Sequence, residues 1–336
     1  MIEIERVGVV GCGLMGHGIA QICAQAGWDV VAREVDQASL DSGIGRIEKQ
    51  LSRAVEKGTL EQGDADAARG RITATLEYAE LSDCDLVIEA IFEDLDAKLT
   101  MWREVDGIVK QGAVFATNTS SLPVVNQAVA TERPERFLGL HFFNPAQVMP
   151  LLEVVQTVTT GEDALKTGFE VGEKLGKTCV HARDKTGFIV NRLLVPYMLD
   201  AIRAHEEGVG EIDQIDVAMK AGANHPMGPL TLADFVGLDT LAAIADVMFD
   251  EYRERRFAAP PRCAGWWRRG CTGASPAKAF TITRARSRFQ PTWGSEPPVP
   301  GRHGRRRHGR RKLAERQHRA DTQRDVLDLA QGLRQA

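Results

Sequence analysis

The tightest constraint on this chain is a glycine-rich loop near its amino end. Val7-Gly8-Val9-Val10 reads as a short buried strand, Gly11-Cys12-Gly13-Leu14-Met15-Gly16 follows at once, and an apolar helical pattern begins at Leu14. The first glycine permits a tight turn, the second lets backbone approach a pyrophosphate, and the third lets helix pack on strand. The helix amino terminus then faces the phosphates. Gly11, Gly13, Leu14, Met15 and Gly16 are therefore candidate dinucleotide contacts. Strand, loop and helix in that order, at the start of a chain, predict a sheet built from βαβ units.

The rest of the first half fits that expectation. β-branched runs at residues 6–10, 29–32, 72–75, 85–90, 113–117, 137–141, 151–155 and 179–182 read as strands. Helical patterns lie between them at 14–26, 37–57, 95–109 and 163–175. Such alternation predicts a parallel sheet, and several runs are apolar on both faces, as strands covered by helices must be. Past Thr186-Gly187 the strand signal stops, and residues 188–207, 211–221, 230–236 and 239–255 read as helices. The predicted fold is α/β: a Rossmann-type, mostly parallel sheet domain over residues 1–184, followed by an all-helical domain over 185–261.

Charge divides the chain more sharply than periodicity does. Residues 1–261 carry 24 Lys and Arg against 41 Asp and Glu; residues 262–336 carry 18 against 5. The basic tail, with runs such as Gly304-Arg305-Arg306-Arg307-His308, has no helical or strand period, and its composition predicts disorder. An Arg-rich run is also an electrostatic footprint for nucleic acid, but it lacks interleaved aromatics, so nucleic acid is not the expected partner. No apolar stretch long enough for a membrane span or a signal peptide occurs, which predicts a soluble, cytoplasmic protein. The six cysteines show no Cys-x-x-Cys spacing, so no metal site is expected.

Within this frame, several polar residues fall where ligands bind, beyond the carboxyl ends of strands. Glu34 closes the second strand and is placed to accept hydrogen bonds from the adenosine ribose; an acid there favours NAD, although Arg33 beside it leaves NADP open. Glu93, in Glu89-Ala90-Ile91-Phe92-Glu93-Asp94, and Lys98 lie past the fourth strand, near the cofactor or simply dressing the amino end of a helix. Ser120, in Asn118-Thr119-Ser120-Ser121, could hold a substrate oxygen or cap the next helix. His141, in Gly139-Leu140-His141-Phe142-Phe143-Asn144-Pro145, and Glu153, twelve positions on in Leu151-Leu152-Glu153-Val154-Val155, are titratable groups inside apolar strands. They suggest a His–Glu acid/base dyad; the competing reading is a satisfied core histidine and an unrelated glutamate. Asn191 sits in the first turns of the helix that opens the second domain, facing either a cleft or another helix. His225-Pro226-Met227-Gly228-Pro229 reads as a structural turn.

Taken together, these motifs resemble the 3-hydroxyacyl-CoA dehydrogenases, and among them the single-function bacterial 3-hydroxybutyryl-CoA dehydrogenases. The resemblance runs in order over about residues 4–260 and includes Lys185-Thr186-Gly187-Phe188 through Asn191-Arg192. It implies NAD-dependent oxidation of an L-3-hydroxyacyl-CoA to the 3-ketoacyl-CoA, and the reverse. It implies His141 as base, Glu153 as its orienting carboxylate, and Ser120 and Asn191 at the substrate's reacting oxygen. Glu34, Glu93, Lys98 and Asn144 would contact the cofactor, Ser52 and Lys57 the CoA moiety, and the helical domain would form a homodimer. The related dehydrogenases that use a lysine on the second domain's first long helix are disfavoured, because Asn191-Arg192 stand there.

The resemblance also makes the tail anomalous. The family ends its helical domain with a segment like Arg-Lys-Ser-Gly-Lys-Gly-Phe-Tyr-Asp-Tyr, absent here. Synonymous codons can be chosen for residues 273–283 so that reading from the third base spells that segment. Residues 262–336 are therefore expected to be an out-of-frame translation, with the helical domain truncated and its dimer weakened. A catalytically impaired family member, or a scaffold, is the alternative reading this raises.

Overall fold

A computed structural model describes residues 3–260 of the chain. The predicted disordered tail lies outside the described residues.

The chain alternates as its periodicity predicts: β1 (Arg6–Val10), α1 (Gly16–Gln25), β2 (Asp29–Arg33), α2 (Gln37–Glu56), α3 (Gln62–Gly70), β3 (Ile72–Thr75), β4 (Leu86–Glu89), α4 (Leu95–Asp106), β5 (Val114–Thr117), α5 (Val124–Ala128), β6 (Phe137–Phe142), β7 (Leu151–Gln156), α6 (Glu162–Lys174) and β8 (Thr178–Arg183). The strands form one sheet in the order β3-β2-β1-β4-β5-β6-β7-β8. Every neighbouring pair is parallel except β6 and β7. The first six strands in this order make the doubly wound arrangement, whose ligand crevice lies at the β1–β4 switch point.

Both faces are covered because the strands are apolar on both sides. Val7, Val9, Val30, Ile88 and Leu140 pack under α1, α2 and α6. Val10, Val87, Phe115 and Phe137 pack under α4 and α5, where Trp102 stacks edge-on against Phe137. The Trp102 indole donates to the Gln127 side chain at 3.0 Å, so its buried N–H is satisfied.

Helices alone follow: α7 (Val190–Glu206), α8 (Ile212–Gly222), α9 (Pro229–Val236) and α10 (Leu238–Tyr252). Leu199, Ile202, Leu230, Leu241 and Met248 form their own core. Asp216 caps α9, accepting from the Leu230 and Thr231 amides at 2.8 and 3.0 Å. His225 is hydrogen-bonded to the Tyr197 hydroxyl at 2.9 Å, consistent with a structural turn. No helix among the described residues is long and apolar enough to cross a membrane.

Candidate active site

The glycine loop sits where β1 ends. Gly11 has φ +93°, and a Cβ there would lie 2.6 Å from the Ala90 carbonyl oxygen, so only glycine lets the loop press against the end of β4. A Cβ on Gly16 would strike the Gly11 carbonyl, whereas Gly13 faces open space. The arrangement leaves a backbone cradle of the size that a pyrophosphate would need. His17, buried on α1 and not singled out by the sequence, ties it in place. Its Nδ1 meets the Gly13 carbonyl at 2.6 Å and its Nε2 meets the Gln50 amide at 3.0 Å. Burial pushes its pKa below the usual histidine value. Cys12, inside the loop, has its thiol pushed up to about 12 by burial, so it is an inert packing residue.

Glu34 lies beside this cradle, as its position at the end of β2 predicts. Its Oε1 accepts from the Cys12 amide at 2.6 Å and its Oε2 from the Val35 amide at 3.0 Å. Arg33 turns away: its Nε donates to the Leu76 carbonyl at 3.1 Å, and its guanidinium lies 3.7 Å from the Tyr78 ring centroid.

Past β4, the acidic segment and the hydroxyl-rich loop after β5 form one network. Lys98 is buried and donates to Glu89 at 3.0 Å and to Glu93 at 2.7 Å. Glu89 also accepts from the Thr117 hydroxyl at 2.6 Å. Glu93 gathers the Thr119 hydroxyl and the Ser120 amide, the latter at 3.0 Å. Burial pushes the Glu93 pKa up, but the Lys98 charge and these donors outweigh it and hold the carboxyl below its usual range. Asn118 accepts from the Phe142 amide at 2.9 Å, tying this loop to the end of β6. Among the described residues no partner holds the Ser120 hydroxyl or the Asn191 amide.

The antiparallel step from β6 to β7 places His141 directly opposite Glu153. Nδ1 of His141 lies 2.6 Å from Glu153 Oε2. An ionised carboxylate can only accept, so Nδ1 donates to it, and in a neutral imidazole the lone pair then lies on Nε2. The other oxygen, Oε1, accepts from the Ile189 and Val190 amides at 3.1 and 2.9 Å, at the start of α7. Glu153 therefore binds both the imidazole and the first helix of the second part. Phe143 and Phe188 pack on the imidazole, with ring centroids 4.5 and 5.4 Å away.

Other predicted residues lie nearer the surface. Asn144 is exposed on the loop after β6. Ser52 is exposed near the carboxyl end of α2, and Lys57 is the residue that ends that helix. Among the described residues no cluster of His, Cys, Asp and Glu could hold a metal ion.

The family described as "3-hydroxyacyl-CoA dehydrogenase, NAD binding domain" matches residues 6–185, and its C-terminal domain matches residues 187–281. A 3-hydroxybutyryl-CoA dehydrogenase of Mycobacterium tuberculosis is 46% identical over 279 residues, 82% of this chain and 98% of that one. The crystal structure of FadB2 from the same organism has a TM-score of 0.80 at 46% identity, covering 82% of this chain and 98% of that one. The crystal structure of (S)-3-hydroxybutyryl-CoA dehydrogenase PaaH1 from Ralstonia eutropha also has a TM-score of 0.80, at 35% identity, covering 83% and 98%.

Proposed function

Because the chain belongs to the 3-hydroxyacyl-CoA dehydrogenase family, we propose that it interconverts an L-3-hydroxyacyl-CoA and its 3-ketoacyl-CoA, with 3-hydroxybutyryl-CoA as the first substrate to test. The observation that carries this reading is the His141–Glu153 contact of 2.6 Å, at the ligand-binding end of a sheet whose glycine loop suits NAD.

NAD, when bound, supplies the acceptor for the hydride that leaves the substrate's C3. Gly11, Gly13, Leu14, Met15 and Gly16 would hold its pyrophosphate and Glu34 its ribose. Arg33, drawn off onto Tyr78, leaves Glu34 as the charge next to the ribose, which favours NAD over NADP. His141 takes the hydroxyl proton on Nε2 during oxidation and returns it in the reverse reaction. Glu153 keeps the proton on Nδ1 and stabilises the imidazolium that forms. Ser120 and Asn191 hold the reacting oxygen. Glu93 and Asn144 face the cofactor, and Lys98 acts through Glu93, to which its ammonium is bound. Ser52 and Lys57 serve the CoA end.

We further propose that residues 1–184 form the cofactor domain and 185–261 a helical substrate and dimerisation domain. Exposed apolar side chains at Leu193, Val217 and Phe235 support a homodimer built on the helical part. A cytoplasmic location fits this chemistry. The charge reversal after residue 261 and the shifted reading of residues 273–283 support an out-of-frame tail; against it stands the family match, which runs on to residue 281. Genomic sequence showing one uninterrupted frame through codons 255–285 would overturn that.

The catalytic reading is tested by reducing acetoacetyl-CoA with NADH and resolving the product. The L-3-hydroxybutyryl ester is expected, and a D product would refute the stereochemical assignment.

A further inference from the structure

Resting on that reading, we propose that Phe188 is a positioning residue of the reaction, clamping the His141 imidazole while the two amides that follow it clamp Glu153.

The chain leaves the sheet through two consecutive left-handed residues, Gly187 at φ +80° and Phe188 at φ +44°. Glycine adopts this region freely; phenylalanine does not. Gly187 fits because a Cβ there would lie 2.7 Å from Met248 of α10. Phe188 has no such excuse, since a glycine would spare the backbone its strain. The ring is what the position retains. It is 4% exposed, and its centroid lies 5.4 Å from that of His141. Strained residues of this kind persist where surrounding structure over-determines them.

The same turn aims the next two amides. Ile189 and Val190 donate to Glu153 Oε1, while Glu153 Oε2 holds His141 Nδ1. Within three residues the junction thus contacts both members of the dyad, the imidazole by packing and the carboxylate by hydrogen bonds. The Tyr252 hydroxyl of α10 fixes the turn from behind, donating to the Thr186 carbonyl at 3.0 Å. The imidazole then has one polar support through Nδ1 and two aromatic ones, Phe143 at 4.5 Å and Phe188 at 5.4 Å. Removing Phe188 leaves Phe143 as the one aromatic ring packed on the imidazole, on the loop after β6, and frees the ring on the side of the junction. A reacting group misplaced by about 1 Å costs on the order of 100-fold in rate.

The test uses the full chain in three forms: native, F188L and F188G. Glycine suits the left-handed backbone, which offsets part of what the lost ring costs in packing; leucine keeps most of the apolar bulk. One readout needs neither substrate nor cofactor: the downfield proton of His141 Nδ1 in the NMR spectrum, identified by its loss in H141Q. Its exchange with water should accelerate from native to F188L to F188G. In turnover, kcat should fall in the same order, by about 10- to 100-fold for F188G. KM for the CoA ester and for NAD should stay within about twofold of native. Flat exchange and flat kcat across the series would overturn the proposal. So would a parallel loss of cofactor affinity and kcat with the Nδ1 proton unchanged, which would mark Phe188 as core packing alone. If the native chain turns over no hydroxyacyl-CoA, the dehydrogenase reading fails, and the exchange series still decides whether Phe188 holds the imidazole.

Discussion

Glu153 uses its two carboxylate oxygens on two different parts of the protein: Oε2 accepts from Nδ1 of His141 across the β6–β7 pair, and Oε1 caps the start of α7. The geometry of His141 therefore depends on where the first helix after the sheet begins.

Replacing His141 by Ala should remove general base catalysis, lowering kcat roughly 10²- to 10⁴-fold. Glu153→Gln should cost less, since an amide oxygen can still accept from Nδ1. NAD affinity, measured by fluorescence titration, should be nearly unchanged in both. Near-normal turnover in H141A would remove His141 from the mechanism.

Glu153→Ala should differ from E153Q in stability as well as rate. It strips three donors of their acceptor at once, the buried imidazole and two part-buried helix amides. A loss of about 2–4 kcal/mol in denaturant unfolding is expected, given the worth of hydrogen bonds to charged groups and the cost of orphaned donors. A loss no larger than that of E153Q would mean that the cap on α7 contributes little.

Much of this was legible in the sequence, for identifiable reasons. All eight strands were, because runs such as Val7–Val10 and Val114–Thr117 are β-branched and apolar on both faces. The short helices α3 and α5 were not. The first is rich in Ala, Asp and Gly, and the second spans five residues whose Val-Val start mimics a strand. The dyad was legible because titratable groups stand out in apolar strands. The antiparallel turn that aligns them was not, since it depends on how the loop from Phe143 to Pro150 folds back. Nor did spacing reveal His17, Asp184 or Phe188. Asp184 accepts from the Val124 and Val125 amides at 3.0 and 2.7 Å, a partnership sixty residues apart in the chain.

Glu34→Ala should weaken NAD binding selectively and narrow its advantage over NADP. The carboxylate is held beside the glycine loop by the Cys12 amide, while Arg33 is occupied elsewhere. Competition titrations with both cofactors check this. Equal affinity in the unaltered protein would contradict the assignment.

Lys98→Met should destabilise the fold by about 3–5 kcal/mol, because it leaves the fully buried Glu89 without its counter-charge. The double variant E89Q/K98M should recover part of that loss. Additive losses in the double-mutant cycle would show that the pair is not coupled.

Acidification should loosen the cofactor cradle through His17. Its folded-state pKa lies below the ordinary value of 6.5, chiefly because of burial. Its contribution to stability is thus present above 6.5 and lost as pH falls through the folded pKa. The melting temperature of the native chain should drop across that window more steeply than that of H17Q. Identical slopes would assign the acid sensitivity to other groups.

The most direct measurement is NADH formation when the chain is given NAD and either L-3-hydroxybutyryl-CoA or free 3-hydroxybutyrate. The account predicts turnover of the CoA ester and none of the free acid, with H141A silent under the same conditions. Oxidation of the free acid without oxidation of the ester would contradict it.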